Sequence, residues 1–248
     1  MKKWAWALGI ILFTIGCLIF VELRQQEKIC KGIIVKLDDS AEYTFFSEND
    51  IKNILSVNSV DRIEGMRMKD INLAGLEKRV LRNRLIKNCQ IYEDLSGNLV
   101  VKIQQQSPLG RLSQSDNASI GGYVTDTGDI VQLSPYFTAR TVVLSGAFFN
   151  NSKNLKSDLG KKLLNFLKSL QEDSFWKAQI TGIIVASDGE LSLIPQVGNH
   201  IIDFGLPDET SATKFEKLKI FYRQILPHQG WNKYKTVSVK FRNQIVCE

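Results

Sequence analysis

Residues Trp4 to Val21, "WAWALGIILFTIGCLIFV", run for eighteen positions without a charge. As a helix that run is about 27 Å long, close to the roughly 30 Å of a bilayer's hydrocarbon core. Trp4 and Trp6 stand at one end, where amphipathic rings favour the headgroup layer, and Lys2 and Lys3 precede the run. Three readings compete: a cleaved signal peptide, a lipoprotein signal ending at Cys17, and an uncleaved anchor. Val21-Glu22-Leu23-Arg24 offers no small residues for a cleavage site, and four apolar residues follow Cys17 where a polar tether is usual. The expectation is therefore an anchor at 4–21. Lys2 and Lys3 nearly balance Arg24, Lys28 and Lys31, so the charge order decides. It puts the tail at 1–3 inside and the remainder outside.

Residues 22–248 are enough for one large or two small domains. After a polar stalk at 22–30, Ile33 to Leu37 is β-branched and reads as a strand. Ser47 to Asp50 has the form of a capping box before Ile51, Ile54 and Leu55. Asn72 can cap a second helix carrying Leu73, Leu76 and Val80. Ile86 to Glu93 and Leu99 to Gln105 flank the turn Asp94 to Asn98 and form a hairpin. Strand, helix, helix, strand, strand implies helices on one face of a small three-stranded sheet, over 31–107.

Ser107-Pro108 marks a boundary, and 108–248 is mostly short strands and turns. "GGYVTDTGDIVQL" and "ITGIIVASDGELSLIPQ" are hairpins, and "TVVLSG" is a buried strand. Leu159, Leu163, Phe166, Leu167 and Leu170 line one helical face. Phe215, Leu218, Tyr222 and Ile225 line another, stopped by Pro227. Thr236 to Cys247 alternates as one last strand. The fold class is α+β: an anchor, a β-α-α-β-β domain, and a β-rich domain with two flanking helices.

Catalytic signals are weak. On a regular strand His200, Ile202 and Phe204 face one way and Ile201 and Asp203 the other, so the histidine and aspartate are split by the sheet. His200 reads as structural, and His228 as a loop residue near Trp231. Serine-nucleophile, phosphate-loop and HExxH motifs are absent. Paired carboxylates fall in turns such as Asp38-Asp39 and Asp208-Glu209. Cys30, Cys89 and Cys247 cannot all pair and lack metal-site spacing, which leaves one bridge open. The chain reads as non-enzymatic, with no cofactor and no metal. The formal charge of +6 concentrates between Lys214 and Arg242, where eight Lys/Arg meet one acid, Glu216. A solvated basic face and a surface for acidic partners both fit.

The layout resembles the FtsQ/DivIB family of bacterial cell-division proteins over nearly the full chain. "INLAGLEKRVLRNRLIKNCQIYEDLSGNLVVKIQQQSPLGRL" is similar to the second half of that family's POTRA domain. Gln106-Ser107-Pro108 departs from the acid that the family places before the proline. "YVTDTGDIVQL", "IIDFGLPDETSATKFEKLKIFYRQIL" and "YKTVSVKFRNQIVC" resemble the opening, middle and closing passages of its β domain. The resemblance implies a non-catalytic inner-membrane protein of the division septum. It would link early and late division proteins and act with FtsL- and FtsB-like coiled-coil partners on septal peptidoglycan synthesis, without nucleic acid. If Thr236 to Cys247 is a sheet edge, a partner segment adds there as a strand. Tyr234, Lys235, Val237, Val239, Lys240, Phe241 and Arg242 are then the docking residues; if it is central, its apolar side is core. The alternative is a POTRA-containing envelope or outer-membrane assembly module.

Overall fold

The computed structural model describes residues 6, 12–16, 28–38, 45–56, 63–113, 121–133, 138–150, 152 and 154–248. The tail at 1–3, most of the apolar run at 4–21 with Cys17, and most of the stalk at 22–30 lie outside these. Trp6 and residues 12–16 are helical. Among the described residues no helix is long and apolar enough to cross a membrane. The chain divides into two compact units, Met1–Gln105 and Gln106–Glu248.

The first unit follows the expected order. Strand β1 (Ile33–Leu37), helices α1 (Glu48–Leu55) and α2 (Leu73–Leu81), and strands β2 (Ile86–Glu93) and β3 (Leu99–Gln105) succeed one another. β3 is central, parallel to β1 and antiparallel to β2. Local chemistry fixes the helix starts. The Ser47 hydroxyl accepts from the Asp50 amide while the Asp50 carboxylate accepts from the Ser47 amide, and Asn72 accepts from the Gly75 amide. The hairpin turns because Asp94 accepts from the Ser96 and Asn98 amides and Gly97 takes φ +86°. Ile51, Leu55, Val80, Leu99, Val101 and Ile103 are fully buried between helices and sheet. Gln105, also buried, has its side-chain oxygen accept from the Phe45 and Phe46 amides, so no orphaned polar group remains there.

Among the described residues of the second unit nine strands form one sheet. They are β4 (Pro108–Leu112), β5 (Gly122–Thr125), β6 (Ile130–Gln132), β7 (Val143–Ser145), β8 (Ile180–Val185), β9 (Leu191–Pro195), β10 (Ile201–Gly205), β11 (Thr236–Ser238) and β12 (Val246–Cys247). Their order across the sheet is β12-β11-β10-β9-β8-β7-β4-β5-β6. One face carries α3 (Asp158–Glu172), α4 (Ser174–Gln179) and α5 (Ser211–Ile220), which bury Leu163, Phe166, Leu167, Trp176 and Leu218 against Leu144, Ile183, Leu193, Ile202 and Val237. Phe215 ties the helices together, stacked on Phe166 with ring centroids 5.6 Å apart and close to Trp176 at 4.9 Å.

Several expectations change. α4, unforeseen, starts because the Asp173 carboxylate accepts from the Phe175 and Trp176 amides. Leu159 is exposed; Gly160 holds the buried position, since any Cβ there would press on the Leu155 backbone. β7 is not buried on both sides, for Val143 faces solvent. Nor does the last long helix stop at Pro227. It passes through a π turn at Phe221–Ile225 into α6 (Leu226–Gln229). That extra residue in the turn rotates the following register, so Leu226 is buried and Ile225 exposed. It also tolerates Pro227, which has no N–H to donate. Among the described residues Cys30 and Cys89 are buried free thiols and Cys247 is a half-buried one.

Candidate partner-docking edge

The expected single strand from Thr236 to Cys247 is two short strands folded on each other. β11 lies parallel to β10, with Ile202 opposite Val237 and Asp203 opposite Ser238. β12 lies antiparallel on its outer side, with Val237 opposite Cys247 and Ser238 opposite Val246. Asn243 makes the reversal, at φ +77°, a left-handed conformation that asparagine tolerates.

Two lysines pin this reversal to distant parts of the chain. Lys217 on α5 donates to the Val239 carbonyl at 3.0 Å and to the Phe241 carbonyl at 2.6 Å. Lys240 contacts Glu190 at 2.7 Å and Asp203 at 2.9 Å. Hydrogen bonds to Glu190 and then Asp203 raise the Lys240 pKa, with burial opposing. Burial lowers that of Lys217.

The seven proposed docking residues therefore separate. Val237 and Val239 are fully buried core residues, and the Val239 amide donates to the Asp203 carbonyl at 3.0 Å. Neither can meet a partner, which corrects the single-strand expectation. Lys240 is committed to its two carboxylates. Tyr234 is half-buried beside Phe221, with ring centroids 6.0 Å apart. Lys235, Phe241 and Arg242 are exposed around the reversal, Phe241 by 49%.

The edge itself is β12. Thr236 and Glu248 exchange both backbone bonds, the Thr236 amide to the Glu248 carbonyl at 3.1 Å and the reverse at 3.0 Å. In an antiparallel ladder, mutual bonding recurs at every second residue. Val246 and Glu248 thus aim their amides and carbonyls inward at β11, and Ile245 and Cys247 aim theirs outward. Those outward groups are what an added strand would pair with. The sequence carried a signal for this break: Arg242-Asn243-Gln244, a polar triplet between β-branched stretches.

His200 is structural, as its alternation implied. It is 2% exposed, and its Nε2 lies 2.8 Å from the Tyr222 hydroxyl. Burial lowers its pKa, with the Trp231 carbonyl opposing, and burial pushes the Tyr222 phenol up to about 12. Ile201 is exposed on the opposite face. His228 sits exposed on α6. A cavity of about 910 Å³ lies among α3, α4 and the start of α5. Four carboxylates line it, Asp173, Asp208, Glu209 and Glu216; Asp173 caps α4 and Asp208 is held by Thr210 and Lys214. Neither histidine lines it. Among the described residues no group of three His, Cys, Asp or Glu could hold a metal ion.

Residues 28–104 match a POTRA-like domain, and residues 107–248 match the family described as FtsQ/DivIB, C-terminal related. No curated protein matches the chain. Both are non-catalytic scaffold types of domain, and the second match points to cell division. With the second match covering more than half of its length, the chain belongs to the FtsQ/DivIB C-terminal related family.

Proposed function

We propose that this protein is a membrane-anchored, non-catalytic scaffold of the bacterial divisome. It sits in the inner membrane with its bulk in the periplasm and links early to late division proteins at the septum. It regulates septal peptidoglycan synthesis through a complex with FtsL- and FtsB-like coiled-coil proteins. The observation that carries this reading is the open edge at β12. A partner segment paired with Ile245 and Cys247 gains main-chain hydrogen bonds, while Phe241, Tyr234, Lys235 and Arg242 surround it and select its side chains.

Strand addition in the first unit, which an envelope-assembly role would use, is obstructed at one edge. The outward Ile91 amide on β2 already donates to the Glu77 carboxylate at 2.8 Å. The test is depletion of the protein in its own cells with a fluorescent fusion followed by microscopy. Long undivided filaments, with the fusion at midcell beforehand, are the expected result. Normal division with loss of outer-membrane proteins would overturn the reading.

A further inference from the structure

His200 belongs to a buried polar contact on which the β12 edge rests. Its ring lies just before β10, 2% exposed, with Nε2 2.8 Å from the Tyr222 hydroxyl. Its Nδ1 is buried without a hydrogen bond of good geometry, beside the Trp231 carbonyl. The ring centroid lies 5.7 Å from that of Tyr222 and 6.4 Å from that of Phe221. The segment after α6 packs on the same two rings, with Trp231 6.0 Å from Tyr222 and Tyr234 6.0 Å from Phe221. From there main-chain bonds lead to the edge. The Ile201 amide, next to His200, donates to the Lys235 carbonyl at 2.9 Å. The Lys235 and Thr236 amides both donate to the Glu248 carbonyl, at 2.6 and 3.1 Å. The loop at 231–235 thus joins the start of β10 to the end of β12.

This setting suits a neutral imidazole. The groups in contact with the ring are the Tyr222 phenol and the Trp231 carbonyl, both uncharged, and burial keeps the phenol protonated. The Gln179 side chain beside that phenol is neutral too. Lys177 on α4, Arg223 in the π turn, and Lys233 and Lys235 in the loop are cations, which add nothing to hold a second positive charge. Asp203 on β10 faces the other side of the sheet and is held by Lys240. His228 on α6 and Glu248 are exposed. A proton arriving on Nε2 would turn that atom from acceptor to donor and place a charge where no carboxylate meets it. Water becomes available to the ring when the loop, with Trp231 already 39% exposed, moves off it.

We propose that His200 is an acid-sensitive latch on the β12 edge. Neutral, it seats the 231–235 loop; protonated, it leaves the core with the loop, the end of β12 loosens, and partner docking weakens. This inference rests on the docking reading above and adds a regulation to it. Linkage gives the size. In the open loop the imidazole is solvated, with a pKa of about 6.5, whereas in the closed state burial holds it lower. The closed state is therefore favoured above pH 6.5 and loses ground as pH falls. Between pH 7.5 and pH 5.5 the proton-binding factor of the open state grows from about 1.1 to about 11, so opening rises by up to about tenfold.

The test is amide hydrogen exchange of the full-length chain in detergent at those two pH values, read as protection against the intrinsic rate at each. Protection in 231–248 should fall by up to about tenfold in acid while β8 and β9 hold, and His200→Gln should abolish the response. Because that variant alters a buried residue, its melting temperature is measured, and the wild-type chain gives a second readout. It has two histidines, so imidazole NMR can follow both, and His200 should titrate below the exposed His228. For docking, a photoreactive amino acid replaces Cys247, and the yield of crosslinked protein is compared at the two pH values. The yield should fall by up to about tenfold in acid, and not when His200→Gln is added. Exchange that ignores pH, an equal fall in His200→Gln, or a His200 signal that never titrates before unfolding would overturn the proposal. So would crosslinking at 247 that is indifferent to pH. No crosslink at either pH would count against docking at β12 instead, and exchange alone would then decide the latch.

Discussion

Proline at Cys247 separates docking from folding. The outward-facing Cys247 amide makes no bond to β11, so losing it costs the fold nothing in its ladder, and proline is tolerated where an edge N–H faces solvent. The side chain is only half-buried, so the expected change in stability is within about 1 kcal/mol. For the complex, the same substitution deletes one strand-pairing donor and sets a ring against the incoming strand. One lost hydrogen bond, with its partner carbonyl left unpaired, costs about 1–3 kcal/mol, or about 5- to 150-fold in affinity. Val239→Pro is the contrasting variant. It removes the 3.0 Å bond to the Asp203 carbonyl inside the sheet and distorts a fully buried side chain, so about 3–5 kcal/mol of stability should be lost. The assay is co-purification of the proposed coiled-coil partners with the full-length chain from detergent extract, beside thermal melts of each variant. The expected result is a folded Cys247→Pro chain stripped of partners, and a Val239→Pro chain that melts early. A folded Cys247→Pro chain that retains its partners at wild-type yield would refute docking at β12.

Two further perturbations test the fold itself. Gly146 stands at φ +113°, and a Cβ there would collide with the Val185 backbone on β8. Gly146→Ala should therefore destabilise the second unit by about 3 kcal/mol, read as a fall in its urea midpoint. For His200 the direction follows from linkage: its folded pKa is depressed, so between that value and the unfolded value of about 6.5 the unfolded chain binds more protons. Its contribution is present above pH 6.5 and is lost as pH falls through the folded pKa. Urea midpoints should drop between pH 7.5 and pH 5, and His200→Gln should flatten that part of the drop.

What was legible in the sequence was what neighbouring residues decide. The Ser47–Asp50 capping box needs only residues three apart, and the Asp94–Asn98 turn closes on its own carboxylate. Alternation alone placed His200 and Ile201 on opposite faces. The last strand failed for the opposite reason. Nothing within Thr236 to Cys247 states that Lys217 and Glu190 will hold its middle in a reversal, because those partners lie 24 and 50 residues from the atoms they bind. The π turn at Phe221–Ile225 failed similarly: period-3.6 counting carries Ile225 to the core, and only the packing of Leu226 against the sheet shows the extra residue.

The same distinction accounts for the division of labour at the candidate edge. One uninterrupted strand would make each residue serve both the core and the partner, and a long flat edge invites indiscriminate pairing. Folding it back gives β11 and the residue after it the core, through Val237 and Val239, and leaves β12 only two residues long. So short an edge is a poor template for chance aggregation. A partner that brings its own extended segment can lengthen it, guided by Phe241 and Arg242 at the reversal. Stability and recognition then rest on different residues of one twelve-residue stretch. That is why substitutions at Val239 and Cys247 should part company in the same assay.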